Sequence, residues 1–129
     1  MEIKKNFSVT EIGPMENITR VMLKDTLSIT GAEISANRMP AGKVSAFAHS
    51  HKRNEEIYLF TAGKGSFWLD GTIIPVREGS IVRVSPVCVR ALKADESEAL
   101  SYFCVQVDEG SLIQATRTDG IISDVKPQW

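Results

Sequence analysis

The chain has 129 residues, 43% hydrophobic and 24% charged, with a formal net charge of −1. That length suits one soluble domain with its own core, and the absence of any basic block argues against nucleic acid or an anionic membrane as partner. Two cysteines, Cys88 and Cys104, are too few for a disulfide framework and read as reduced thiols of a cytoplasmic protein.

In chain order, the opening "MEIKKNFSVTEIG" carries charges but no apolar core, so no signal peptide is expected, and no later run reaches membrane-spanning length. The segment "GPMENITRVMLK" holds at most a turn of helix. Short runs rich in β-branched and aromatic residues then alternate with turn signals: "LSIT", "EIYLF", "SFWLD", "TIIPV", "SIVRV" and "SYFCVQV". This spacing predicts an all-β sandwich or barrel. Asp70-Gly71 predicts a type I′ hairpin, because that turn needs positive φ. Pro75 in the returning strand marks an edge or a bulge. The tail "TRTDGIISDVKPQW" reads as an irregular hairpin over the barrel or as a contact with a second subunit.

The two histidines, His49 and His51, are one residue apart. On a strand, residues two apart share a face, so both rings project together if "VSAFAHSH" is extended. Glu56 opens the next strand and brings a carboxylate beside them if the strands are antiparallel. Two imidazoles and one carboxylate with open positions suit Zn, Ni, Fe or Mn. The plain alternative is a solvated strand end beside the charged loop "HKRNEE". Phe47, Tyr58 and Phe60 share parity with these donors and are expected to wall a pocket.

The wider frame is Gly42, six residues, His49, Ser50, His51, four residues, Glu56, six residues, Gly63. It resembles the first motif of the cupin superfamily, with one extra residue between the first Gly and the His pair. The count to Gly63 selects Glu56 over Glu55, which is expected to turn outward. "GTIIPVREGSIVRVSP" is similar to the run that leads into the second cupin motif. The resemblance covers about residues 30–107 of a single domain, 1–129. It implies an antiparallel jelly-roll β-barrel with a divalent metal held by His49, His51 and Glu56.

The second motif departs from the family in "GSIVRVSPVCVRALKA". Arg90 stands where the fourth ligand, a His, belongs, and Ser80 and Val87 replace an acid and a Gly. A guanidinium cannot bind metal. About 5 Å from a divalent ion it would be repelled by roughly 7 kcal/mol at an effective dielectric near 20. Three arrangements are open: Arg90 tilts to the barrel mouth, clamps an anionic ligand in a pocket with Tyr58 and Phe47, or forms an ion pair with Glu56. Cys88 shares parity with Arg90 and is either a thiol facing the cavity or an apolar filler, and Cys104 is expected in the core or lining the barrel.

Three functions follow as expectations. One is a metal-dependent enzyme acting on a small, anionic molecule. Another is a metal-free binding or sensing barrel. The third is a structural partner domain, the barrel serving as a scaffold for dimerisation. A homodimer is expected and excludes none of them.

Overall fold

The computed structural model describes residues 2, 3 and 6–129. Its elements are β1 (Glu2–Ile3), β2 (Ser8–Val9), a 3-10 turn (Met15–Asn17), β3 (Arg20–Met22), a single helical turn α1 (Lys24–Leu27), β4 (Glu33–Met39), β5 (Asn54–Ala62), β6 (Lys64–Leu69), β7 (Thr72–Arg77), β8 (Ile81–Val84), β9 (Arg90–Ala94) and β10 (Leu100–Asp108). The strands form an antiparallel five-stranded sheet in the order β3-β4-β10-β5-β8, which faces a three-stranded sheet, β7-β6-β9. A small β1-β2 pair lies apart. This is the expected all-β jelly roll, built from two facing sheets whose ladders do not close into a continuous barrel. Among the described residues, no helix is long and apolar enough to cross a membrane.

The turn chemistry agrees with the sequence. Asp70 (φ 48°) and Gly71 (φ 90°) connect β6 to β7, with Leu69 opposite Thr72. Pro75 pairs with Ser66 on β7, an edge strand, where its missing N–H breaks no ladder. Gly63 has φ 78°, and a Cβ there would fall 1.7 Å from the Ala99 carbonyl oxygen. Only glycine allows β5 to turn into β6 against that backbone.

Tyr58, Phe60, Phe67, Val76, Val84, Leu92, Leu100 and Cys104 form the core between the sheets. Phe67 meets Tyr58 edge-on, with ring centroids 4.8 Å apart at 74°.

The expected strand "VSAFAHSH" is not continuous. Val44 and His49 make isolated bridges to Lys93 and Arg90. Ser45 N donates to Leu92 O, and His49 N to Arg90 O. Between those two pairings this segment has three residues where β9 has one, Ala91. The excess, Ala46–Ala48, loops out of the ladder. Phe47 is therefore 72% exposed, at the cavity rim rather than deep in its wall.

Candidate metal site

His49 and His51 lie beyond the loop-out, each tied to the second-motif region. His49 exchanges backbone hydrogen bonds with Arg90, and His51 N donates to Pro86 O at 2.8 Å. Parity is thus restored where it matters, and both rings turn to one side, with centroids 5.1 Å apart at 84°. Glu56 points inward from β5, and Glu55 points outward and pairs with Arg83 at 3.1 Å. The ligand atoms of His49, His51 and Glu56 all lie within 4.8 Å of one another.

The carboxylate of Glu56 is nearly fully buried and its two oxygens have different partners. Oε1 accepts from Tyr58 OH at 2.7 Å and lies 3.2 Å from Arg90 Nε. Oε2 faces His51 Nε2 at 3.3 Å. Yet His51 Nε2 is a buried polar atom without a hydrogen-bond partner. A ring nitrogen that close to a carboxylate oxygen, without hydrogen-bond geometry, suits a cation shared by the two. Donors about 2.1 Å from one ion stand roughly 3.0–3.4 Å apart when cis or tetrahedral, so the donor set fits a divalent metal after small side-chain adjustment.

Burial holds the His49 pKa below its ordinary value; Glu56 opposes this, while Arg90 and His51 add to it. Neutral imidazole, the form that binds metal, is favoured. Burial raises the Tyr58 hydroxyl far above its usual range, helped by Cys104 and Glu56, so it serves Glu56 only as a donor. Burial and the Glu56 charge push the Cys104 thiol up to about 12. Cys104 lines the cavity as a neutral thiol. Half-buried Cys88 is not among the cavity residues.

Arg90 adopts the ion-pair arrangement. It is 1% exposed. Its Nε pairs with Glu56 by charge without hydrogen-bond geometry, while its NH groups donate to the carbonyl of Cys88 at 2.7 Å and, at 3.4–3.5 Å, to those of His49, Pro86 and Ser85. It does not line the cavity, so this geometry gives no support to the expected anion clamp. Tyr58 does line the cavity, but its hydroxyl is engaged by Glu56.

The cavity next to the donors has a volume of about 430 Å³. It holds residues that sequence reasoning passed over: Arg20, Ser35, Asn37 and Gln106. Their signal lay in "EISAN", where the polar residues Glu33, Ser35 and Asn37 alternate with Ile34 and Ala36. Register places Arg20 opposite Asn37, and Asn37 opposite Tyr102, so the three share the inner face.

Residues 37–106 match the family model described as a cupin domain. A crystal structure of a cupin protein from Bacteroides fragilis is 39% identical, with a TM-score of 0.87, and the match covers 93% of this chain and 99% of that one. Since 93% of 129 residues is about 120, the nine left over are fewer than the 19 from 111 to 129, and the match reaches into the tail. A putative sugar phosphate isomerase from Acidithiobacillus ferrooxidans is 21% identical over 81% of this chain and 68% of that one, with a TM-score of 0.63, a likeness of fold alone. No curated protein matches the sequence.

Proposed function

The chain belongs to the cupin family, and from that premise we propose that it holds one divalent metal through His49, His51 and Glu56 and binds a small anionic molecule in the adjoining cavity. The observation that carries this reading is the buried, unpartnered His51 Nε2, 3.3 Å from Glu56 Oε2 with His49 alongside. The metal, when bound, supplies a Lewis acid with open positions. Tyr58 and Arg90 hold Oε1 of Glu56, which leaves Oε2 for the ion and fixes the carboxylate's orientation. For the ligand, Arg20, Arg38 and Lys43 line the cavity against Glu33 and Glu56. Glu33 is already engaged by the backbone N–H groups of Leu23 and Lys24. Arg20, on the inner face beside Asn37 and Tyr102, takes over the anion-binding role that the sequence suggested for Arg90. Burial raises Tyr102 to about 12, so it faces the ligand as a neutral donor.

One observation favours a metal-free binding barrel instead: the Arg90 charge offsets that of Glu56, so the donor set offers a cation little net attraction. Elemental analysis of the purified protein, with Zn²⁺ and Ni²⁺ titrations of the parent and His49→Ala, separates the two. About one metal per chain, lost in the variant, supports the metal reading. No uptake under any loading leaves the metal-free barrel.

A further inference from the structure

The inner face of the five-stranded sheet carries its polar groups in cross-strand rows. Register sets Arg20–Asn37–Tyr102 as one row and Glu33–Gln106–Glu56 as another, and all six side chains line the cavity. Along β4 the two rows stand four residues apart, about 13 Å at the usual strand rise. The cavity thus has an Arg20 end and a metal-donor end.

Charge divides along this axis. Arg20 pairs with no carboxylate among the described residues, and its row holds no acid. The opposite row holds Glu33 and Glu56, and Glu56 is balanced by Arg90. An anionic group is drawn to the Arg20 end. At the other end the Glu33 carboxylate opposes it.

The amides on this face are each half engaged. Asn37 Nδ2 donates to Ser35 Oγ at 2.9 Å, and Asn54 Nδ2 donates to Gln106 Oε1 at 2.7 Å. Asn37 Oδ1 and Gln106 Nε2 have no partner among the described residues, and neither atom is sealed from solvent. Asn37 is only 7% exposed, so what its amide meets is whatever enters the cavity. An alkyl chain lying there would leave both amide atoms unpaired. Hydroxyl groups, donors and acceptors at once, satisfy both.

We propose, on the reading that this cavity takes a small anionic molecule, that the ligand is a polyhydroxylated acid of sugar size. Its acidic group lies on Arg20, and its hydroxylated chain crosses Asn37, Ser35 and Gln106 toward the metal donors. A guanidinium fork fits a carboxylate or a phosphate equally. The cavity volume of about 430 Å³ accommodates such a molecule.

Calorimetric titration of the full chain, metal-free and Zn²⁺-loaded, with gluconate, hexanoate and glucitol tests this. The three share one chain length; hexanoate lacks the hydroxyls and glucitol lacks the acid. Gluconate is expected to bind at least about tenfold more tightly than either. Arg20→Gln is expected to weaken gluconate and hexanoate alike, and Asn37→Ala and Gln106→Ala to weaken gluconate alone, each by about fivefold or more. Circular dichroism confirms that each variant folds. Zn²⁺ is expected to strengthen gluconate and glucitol but not hexanoate; if no Zn²⁺ binds, the metal-free titrations decide. Glucitol 6-phosphate beside gluconate tells phosphate from carboxylate, and tight binding of either supports the proposal. Hexanoate that matches gluconate overturns the polyhydroxylated class and leaves the anionic reading standing. Failure of all four probes overturns both. Zn²⁺ that strengthens hexanoate as much as gluconate puts the acid on the metal and overturns the proposed orientation.

Discussion

Arg90 Nε lies 3.2 Å from Glu56 Oε1, while the other oxygen of the same carboxylate faces His51 Nε2 at 3.3 Å. The arginine at the family's fourth-ligand position thus lies behind the candidate ligand Glu56, ion-paired with the oxygen that does not face His51. Arg90→His removes a fixed charge and adds a nitrogen donor. Zn²⁺ affinity is expected to rise at least about tenfold, because relief of about 1.4 kcal/mol of repulsion suffices. Without metal, the variant is expected to lose about 3 kcal/mol of stability, since a buried carboxylate and several carbonyls lose their partner. Calorimetric titration beside urea unfolding reads both, and an unmoved affinity would count against metal binding here.

Glu56→Gln and His49→Ala are expected to differ in kind. Both should weaken metal binding by at least about a hundredfold, each removing one of three donors. Glu56→Gln also strands the buried Arg90 guanidinium and should cost about 3–5 kcal/mol of metal-free stability. Half-buried His49 should cost about 1 kcal/mol or less. Equal losses in urea unfolding would show that Arg90 does not depend on Glu56.

Tyr58→Phe deletes the hydroxyl 2.7 Å from Glu56 Oε1. A hydrogen bond to a charged group is worth about 1.5–3 kcal/mol, and loss of such support costs about tenfold or more in metal affinity. The check is Ni²⁺ titration of parent and variant; unchanged affinity would mean that Arg90 alone orients the carboxylate.

The pH dependence has a definite sign. Burial depresses the His49 pKa below the ordinary 6.5. The unfolded chain therefore takes up the proton first, and His49 contributes stability that is present above pH 6.5 and lost as pH falls through its folded value. Proton competition with metal at His49 likewise begins only below 6.5. Melting curves of the metal-free parent and His49→Gln from pH 8 to 5 should diverge only below about 6.5. Parallel curves throughout would rule out this role for His49.

Gly63→Ala meets the Ala99 carbonyl at 1.7 Å and a positive φ, whereas Gly71→Ala meets only the positive φ, with nothing within 4 Å. The first is expected to cost about 3 kcal/mol or more and the second about 1 kcal/mol. Thermal unfolding of the two variants should rank them in that order; equal losses would mean that the backbone at Ala99 gives way.

The hairpin at Asp70-Gly71, the edge position of Pro75 and the grouping of His49, His51 and Glu56 were legible because each rests on local chemistry or two-residue parity. The loop-out at Ala46–Ala48 was not, because it depends on the count of residues against β9, a strand more than 40 positions away. Arg90 was ambiguous for a related reason. Its four carbonyl partners come from two separate segments, and no local pattern announces them. The cavity's polar lining was readable in "EISAN", where alternation is inverted relative to a sheet with a solvated outer face.

The loop-out separates two tasks that one continuous strand would have coupled. His49 and His51 take their placement from Arg90 and Pro86, and Lys43–Ser45 take theirs from β9. Insertions, deletions or bulky replacements within Ala46–Ala48 are absorbed outside the ladder, without the register slip that would flip both imidazoles to the other face. The cavity rim is therefore free to diverge among descendants of this chain while the placement of both imidazoles is inherited intact.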